Sequence, residues 1–247
     1  MDRALWVAMT AARNTTLQEA ANAHNLSNTG TTGFKAALHA FRTVPTEGGA
    51  SLPTRIYSVD STAAIDFRQG PVRTTGGTFD VALGGPGFLV VQDPDGREAY
   101  TRAGDLSLRG DGTLVDRQGR IVLGEAGPLV MPADRKIEIG QDGTVSALPQ
   151  TAPFNEIAVL GRLKLVNPDP QTLSRGADGL FRTFDRQPLP AAVGIEVRQG
   201  ALEDSNVSPV DGLMATIRNA RAFDLNMQLI QRLNTSAESA AKLLNIG

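Results

Sequence analysis

The sequence predicts an α+β fold in which long N- and C-terminal helices form a coiled-coil layer beside a central antiparallel β-rich domain. At both ends of the chain apolar residues recur every three or four positions, which is the spacing of one helix face. Between them, short apolar runs are separated by Asp-Gly and Gly-Pro turns, as in antiparallel sheets. We therefore divide the chain into an N-terminal assembly helix (1–30), an extended connecting segment (31–75), a central antiparallel β domain (76–200) and a C-terminal assembly helix (201–247).

The N-terminal helix is predicted over residues 2–28. Alanine dominates this segment, so the helix has small side chains and should depend on a partner for order. Gly30 is expected to end it in the left-handed conformation. The apolar stripe of this helix, which we assign to an interface, consists of Leu5, Met9, Ala12 and Leu26. The following residues, 31–75, mix Thr, Gly and Pro with few apolar positions and are expected to form an extended connection with short strands.

The β signal begins at Phe79, where apolar and polar residues start to alternate. Asp-Gly pairs then recur at 95–96, 111–112, 142–143 and 178–179. Such pairs suit tight hairpins because both central positions of the turn can take positive φ. Since no helical pattern interrupts these runs, we expect an antiparallel sandwich or barrel-like domain.

The C-terminal helix has a clear start at residues 208–211, where serine can cap the helix and proline follows at its first position. At 1.5 Å per residue it would be roughly 55 Å long, longer than the β domain can cover. The apolar stripe of this helix consists of Leu213, Ile217, Ala220, Phe223, Met227 and Ile230. An apolar stripe that is longer than the domain beside it needs another partner to cover it, so assembly is the first function to test. The alternative is one helical hairpin packed on the β domain.

Composition excludes several function classes. The formal charge of −2 shows no basic excess of the kind that nucleic-acid binders carry. Cysteine is absent, which excludes thiolate metal sites and cysteine nucleophiles, and two histidines are too few for a histidine-rich metal site. We expect no catalytic residue, no metal, no cofactor and no small-molecule substrate. The opening residues lack the basic region of a cleaved signal peptide, and the residues alone favour a cytoplasmic protein.

Three separated segments resemble one family. The N-terminal signature of the flagellar rod and hook proteins resembles residues 23–28 (AHNLSN) and 32–35 (TGFK). The central block of that family resembles residues 79–83 (FDVAL) and 100–104 (YTRAG), and its C-terminal signature resembles residues 200–207 (GALEDSNV). The resemblance adds five residues to the expected assembly interface: Asn25, Asn28, Gly33, Phe34 and Lys35.

The resemblance implies an axial subunit of the bacterial flagellar basal body. The proximal rod members are most similar to this chain at residues 1–6 (MDRALW) with 8–9, at 42–45 (RTVP) and at 161–166 (GRLKLV). Subunits of this family associate head to tail in a helical tube, with the terminal helices as an inner coiled-coil layer, and transmit torque from motor to hook. The implied partners are copies of itself, other proximal and distal rod proteins, and the flagellar type III export apparatus. Export without a cleaved signal would place the subunit in the periplasmic rod, which replaces the cytoplasmic expectation.

Two alternatives stay open. The chain could be a distal rod protein of the same family. It could instead be a β-rich protein that binds or hydrolyses cell-wall glycan, because glycoside hydrolysis needs a carboxylate pair whose separation the sequence does not give. Nothing in the sequence singles out a pair such as Asp80 and Asp105.

Overall fold

The computed structural model describes residues 2–45, 56–132, 134–149 and 157–244. These residues form two α-helices, eighteen β-strands and a short 3-10 helix at Pro170–Thr172. The helices are α1 (Asp2–Ser27) and α2 (Pro209–Leu244). The strands are β1 (Ala37–Pro45), β2 (Ile56–Ile65), β3 (Val72–Thr74), β4 (Val81–Gly84), β5 (Phe88–Gln92), β6 (Glu98–Thr101), β7 (Leu106–Leu108), β8 (Leu114–Asp116), β9 (Leu123–Gly124), β10 (Gly127–Pro128), β11 (Arg135–Ile139), β12 (Thr144–Pro149), β13 (Ala158–Arg162), β14 (Leu165–Val166), β15 (Leu173–Arg175), β16 (Phe181–Thr183), β17 (Glu196–Gln199) and β18 (Ala201–Glu203).

The chain divides into two compact units. The helical unit comprises Met1–Thr29, Ala36–Asp66 and Val207–Gly247, and the β unit comprises Gly30–Lys35 and Phe67–Asn206. Besides α1 and α2, the helical unit contains the antiparallel pair β1 and β2, strands of nine and ten residues. The sequence indicated only short strands in this part of the chain. The apolar residues in this part of the sequence are too scattered to predict strands as long as β1 and β2.

Both helices begin where the sequence predicts. At the start of α2 the Asp211 N–H donates to Ser208 Oγ at 3.3 Å, so serine caps the helix that Pro209 opens. The glycine after α1 behaves differently from the prediction. Gly33, and not Gly30, takes the left-handed conformation, with φ of 66°.

Asparagine side chains and a glycine contribute to the contact between α1 and α2. Asn22 Nδ2 donates to the Gly212 carbonyl oxygen at 2.9 Å and to Thr216 Oγ1 at 2.8 Å. Asn219 Nδ2 donates to Glu19 Oε2 at 2.9 Å. The half-buried amides of Asn22 and Asn219 therefore have hydrogen-bond partners across the contact, as most buried polar groups in proteins do.

The predicted coiled-coil layer is wrong, because the apolar stripe of α2 is not the face that meets α1. Leu213 is 55% exposed and Ile217 is 49% exposed, whereas Gly212 is buried against Leu26. In a coiled coil the apolar residues at heptad positions are the ones buried between the helices. The 3–4 spacing identifies a helix face that is apolar, but several faces of α2 satisfy that spacing and only the tertiary contact selects one.

The β unit is antiparallel throughout its described strands, which confirms the central part of the fold prediction. Its largest sheet has the strand order β14-β5-β6-β16-β15, and a three-stranded sheet has the order β11-β12-β13. The pairs β17-β4, β18-β3, β7-β8 and β10-β9 complete the pairing. The core contains aliphatic side chains from most of these strands, among them Val81, Leu89, Val91, Leu114, Val122, Val145 and Leu163.

The Asp-Gly pairs lie at hairpin turns as predicted, but with a different turn geometry. In the described part of the chain Arg186 is the one residue other than glycine with positive φ. Only the glycine of each pair is therefore left-handed, with φ of 79°, 81°, 83° and 79° at Gly96, Gly112, Gly143 and Gly179. A type I turn followed by a left-handed glycine fits this pattern, and a type I′ turn does not.

Candidate assembly surfaces

The first turns of α2 present an apolar surface to solvent. Val210, Leu213, Met214 and Ile217 occupy positions i, i+3, i+4 and i+7, so they share one face, and about half or more of each side chain is exposed. We call these four residues the apolar face of α2. Because Gly212 of the same helix is turned toward α1, this face is left open within the helical unit. Grouped exposed apolar side chains of this kind mark interaction surfaces.

The helix α1 also has an inner and an outer side. Ala8, Ala12 and Thr15 are buried, at steps of four and three along the helix. Trp6 and Met9 lie outside that buried stripe and are more than half exposed. Small residues on the inner side allow the helix to approach its neighbours closely, and the large apolar side chains remain outside.

The predicted interface residues of the two helices are distributed unevenly. On α1, Ala12 is buried, Leu5 and Leu26 are half-buried and Met9 is exposed. On α2, Ile230 is half-buried, and the exposed ones are Leu213, Ile217, Ala220, Phe223 and Met227. Most of the stripe of α2 is thus accessible to another molecule.

The two predicted asparagines act inside the helical unit. Asn25 Nδ2 donates to the Ala37 carbonyl oxygen at 2.8 Å, and the Ala37 N–H donates to Asn25 Oδ1 at 2.8 Å. The side chain therefore pairs with the first residue of β1 as a neighbouring strand would. Asn28 Nδ2 donates to the His24 carbonyl oxygen at 2.8 Å, near the end of α1.

Gly33, Phe34 and Lys35 belong to the β unit, within a short segment, Gly30–Lys35, that we call the connector. The Gly33 N–H donates to the Glu203 carbonyl oxygen at 2.7 Å, and the Asn206 N–H donates to the Phe34 carbonyl oxygen at 3.3 Å. A Cβ on Gly33 would lie 2.3 Å from the carbonyl carbon of Arg102, so only glycine fits there. The connector is thus fitted closely into the β unit.

An arginine covers the aromatic ring of the connector. The Arg175 guanidinium lies 4.7 Å from the centroid of the Phe34 ring and 5.2 Å from that of Phe181. It also donates to the carbonyl oxygen of Lys35. Cation–π contacts of this geometry are stabilising, and more so when the cation is partly desolvated.

A buried group of charges lies under the connector. Lys35 and Glu203 are each 1% exposed, and Lys35 Nζ donates to Glu203 Oε1 at 2.5 Å and to the Arg68 carbonyl oxygen at 2.8 Å. The Gly70 N–H donates to the same Glu203 oxygen at 3.0 Å. Arg102 Nε lies 3.1 Å from Glu203 Oε2. This contact is an ion pair without the alignment of a hydrogen bond, since Oε2 accepts none. We call Lys35, Arg102 and Glu203 the buried charge cluster.

The Arg102 guanidinium is also anchored by backbone groups. Nη1 donates to the Gly87 carbonyl oxygen at 2.9 Å and Nη2 to that of Gly85 at 2.8 Å. Burial lowers the pKa of Arg102, and the Glu203 carboxylate opposes part of that shift. One carboxylate therefore lies between two buried cations, which makes it the residue on which the cluster depends.

Sequence reasoning did not assign roles to Arg102, Arg175 and Glu203. Two of them lie in the segments 100–104 and 200–207 that carry the family resemblance. The available signal was a charged residue among the small and apolar residues of these segments. It identifies the residue, but not its partner in a distant part of the chain.

No group of His, Cys, Asp and Glu among the described residues is arranged to hold a metal ion. Within the same residues, neither helix combines the length and hydropathy that a membrane span requires.

Asp80 and Asp105 pair through their backbones, and Asp80 accepts a hydrogen bond from Thr75 Oγ1. Burial raises the pKa of Asp105, and the Arg117 guanidinium 3.8 Å away opposes the rise.

Comparison with known proteins agrees with the signature segments. Residues 82–147 match the model of the flagellar hook protein FlgE/F/G D1 domain, and residues 198–243 match that of the flagellar basal body rod FlgEFG protein C-terminal region. The flagellar basal-body rod proteins FlgF of Salmonella typhimurium and Escherichia coli are each 42% identical to this chain over 252 residues, with 100% of both chains covered. FlgF of Caulobacter vibrioides is 34% identical, covering 99% of this chain and 98% of its own. The chain therefore belongs to the FlgF family of flagellar basal-body rod proteins.

Proposed function

We propose that this protein is a structural subunit of the bacterial flagellar basal-body rod, in its proximal part. The observation that carries the proposal is the full-length likeness to FlgF proteins, which are basal-body rod proteins. The exposed apolar face of α2 supports it, because a subunit of a continuous rod must present surfaces that its neighbours cover. In this role the chain transmits torque from motor to hook through contacts between subunits.

We assign the apolar face of α2 and the exposed stripe residues beyond it to the contact with a neighbouring rod subunit. The neighbour offers the outer side of α1, where Met9 is exposed, so the two surfaces in contact are different. Contacts between unlike surfaces repeat head to tail and generate a helical assembly, whereas like surfaces would close a dimer. Complete burial of a side chain such as Ile217 contributes about 1.5–3 kcal/mol, and the half that is exposed here would contribute a part of that.

Ile217→Asp tests this assignment. Because Ile217 is 49% exposed in the free subunit, the aspartate variant should fold, with an unchanged far-ultraviolet circular dichroism spectrum. In cells it should fail to build rods and the cells should not swim. Ile217→Leu is the matched control, since it keeps the apolar area at the same position and should swim. Swimming cells with the aspartate variant would show that this face is not an assembly contact.

Connector residues have a different part in assembly. Gly33, Phe34 and Lys35 have their contacts inside the β unit, so they support assembly by holding the connector in place. Asn25 and Asn28 act in the same way on the backbone near the end of α1. Substitutions at these residues should therefore reduce stability of the free subunit, which separates them from Ile217.

The resemblance also supports export by the flagellar type III apparatus, without a cleaved signal peptide, to a periplasmic position in the rod. The first peptide of the protein from purified basal bodies tests this proposal. Mass spectrometry should find a peptide that begins at Met1 or Asp2. A peptide that begins further along would show that a leader is removed.

We propose no catalytic activity. The carboxylates of Asp80 and Asp105 are engaged with Thr75 and Arg117, which suits a structural role in the β unit. Incubation of the purified protein with peptidoglycan should release no muropeptide, and release would overturn the purely structural assignment. Proximal and distal positions are separated by cryo-electron microscopy of intact basal bodies, in which copy number and location of this subunit can be read directly.

A further inference from the structure

Five hairpin turns in the described part of the β unit share one backbone geometry. They span residues 93–97, 109–113, 116–120, 140–144 and 176–180. In each turn the N–H of residue 1 donates to the carbonyl oxygen of residue 5 at 2.8–2.9 Å, and the N–H of residue 4 donates to the carbonyl oxygen of residue 1 at 2.9–3.1 Å. Residue 4 is always a glycine with positive φ. Four of the five turns have aspartate at residue 3, directly before that glycine.

The N–H of residue 5 donates to a side-chain carboxylate in one of two ways. In three turns it donates to the aspartate at residue 3: Thr113 to Asp111 at 2.9 Å, Thr144 to Asp142 at 3.0 Å and Leu180 to Asp178 at 3.3 Å. In the other two turns it donates to an aspartate at residue 1. These bonds join Arg97 to Asp93 and Arg120 to Asp116, both at 2.9 Å.

The turn at 93–97 has aspartate both at residue 1 (Asp93) and at residue 3 (Asp95), and the N–H of residue 5 donates to the aspartate at residue 1. Asp93 Oδ1 accepts from the N–H groups of Asp95 at 3.0 Å and Arg97 at 2.9 Å. Asp93 is buried and its carboxylate also pairs with Arg182, so it is held in this position. The carboxylate of Asp95 consequently receives no hydrogen bond from the described residues, and its side chain is exposed.

Two of the other three Asp-Gly aspartates are restrained further, and Asp111 keeps the bond from the Thr113 N–H. Asp142 Oδ2 accepts from Thr144 Oγ1 at 2.7 Å, and Asp178 accepts from both terminal nitrogens of Arg182 at 2.9 and 2.7 Å. Hydrogen bonding from Thr113 lowers the pKa of Asp111. These three carboxylates are thus fixed in rotamers that point toward the residue 5 backbone.

We propose that Asp95-Gly96 is a site of spontaneous covalent modification, at which the aspartate isomerises through a cyclic imide. The Gly96 nitrogen attacks the side-chain carboxyl carbon of Asp95 in its protonated form, a new C–N bond forms as the nitrogen gives up its proton, and the carboxyl OH leaves with that proton as water. Water then adds to either carbonyl of the imide and opens the ring, which returns aspartate or produces isoaspartate. The reaction needs a side chain that is free to rotate toward the next backbone nitrogen and a following residue without a Cβ. Asp95 meets both conditions.

Isoaspartate at this position lengthens the backbone of the β5–β6 hairpin by one carbon atom. The site lies at the exposed turn between Gln92 and Glu98, the last and first residues of two strands whose side chains enter the core. The amount of isoaspartate at this turn therefore increases with the age of a subunit, while the modified residue itself lies outside the core. A methyltransferase that recognises isoaspartyl carboxylates is the class of enzyme that would act on the product.

The test follows the four Asp-Gly pairs in one full-length, folded protein at neutral pH and 37 °C over weeks. Isoaspartate is labelled by isoaspartyl methyltransferase with a methyl donor, and located by peptide mapping. Asp95 should accumulate it about fivefold faster than Asp111, Asp142 or Asp178, the factor that corresponds to one hydrogen bond of about 1 kcal/mol. Equal rates in the folded protein, or a faster rate at one of the three others, would overturn the proposal.

Two comparisons test that the fold causes the difference. In urea the four rates should converge, because the dipeptides are identical, and the same ranking in the unfolded chain would refute the structural explanation. Gln118→Asp is the second comparison, since Asp116 already occupies residue 1 and holds the Arg120 N–H, while the Arg120 guanidinium, which donates to Gln118 Oε1 at 3.0 Å, is placed to pair with the new carboxylate. Position 118 in this variant should therefore form isoaspartate more slowly than Asp95. A rate equal to that of Asp95 would contradict the view that side-chain pairing sets the rate.

Discussion

Glu203→Gln removes the carboxylate that lies between Lys35 and Arg102 and keeps the size of the side chain. The two cations, 1% and 3% exposed at their side chains, then face each other without an anion. Loss of one partner from a buried ion pair destabilises by about 3–5 kcal/mol, because the remaining charge is buried without compensation. Urea unfolding at pH 7 should show a decrease of this size in the free energy of unfolding.

Lys35→Met should be milder, because Glu203 keeps Arg102 at 3.1 Å and the Gly70 N–H at 3.0 Å. We expect a loss of about 1–3 kcal/mol, the range for one buried hydrogen bond to a charged group. The double variant should lose less than the sum of the two single changes, since Glu203→Gln is less harmful once Lys35 is absent. A coupling energy near zero would refute the view that these charges act as one cluster.

Asp204→Asn is the matched control, one position further along the chain. Its partner Arg73 lies 3.4 Å away, but the two side chains are 58% and 37% exposed for arginine and aspartate. Exposed pairs contribute about 0–1 kcal/mol. Hydrogen exchange should also accelerate in the connector of Glu203→Gln and stay unchanged in Asp204→Asn. If both variants lost the same stability, burial of the cluster would not be what matters.

Other substitutions test separate contacts. Gly33→Ala should lower Tm by several degrees, because its Cβ would meet the Arg102 backbone at a positive φ, whereas Gly30→Ala has nothing within 4 Å and should melt like the wild type. Asn22→Ala should weaken the α1–α2 contact by about 1–3 kcal/mol, visible as faster hydrogen exchange in α2; unchanged exchange would contradict the contact. Burial raises the pKa of Asp105, so its ionised form opposes folding above the folded-state pKa. Asp105→Asn should therefore raise Tm at pH 7, with the gain lost below about pH 4; a gain that persists in acid would exclude this cause.

Local signals in the sequence predicted local structure well. Ser208 and Pro209 locate the start of α2 because capping depends on groups within one helical turn. Alternation and turn residues predicted the antiparallel β unit, since both features depend on neighbouring residues along a strand. The signature segments identified the family for the same reason, as short runs that can be recognised without their partners.

The conformation of glycines was less predictable. The sequence favoured Gly30 for the left-handed position after α1, but the structure places Gly33 there. Gly33 is selected by the close approach of the Arg102 backbone, which comes from a distant part of the chain. Likewise, Asp95 differs from the other Asp-Gly aspartates only because Asp93 takes the Arg97 N–H first.

The sequence by itself determined that both ends are helical, that the centre is an antiparallel sheet structure and that the chain is a rod protein of the flagellum. Only the tertiary structure decided which face of α2 meets α1 and that Lys35 pairs with Glu203, 168 residues away. The physical reason is the range of the interactions. Backbone hydrogen bonds and side-chain periodicity act over a few residues and leave a readable pattern. The choice of partner depends on side chains brought together by the whole fold.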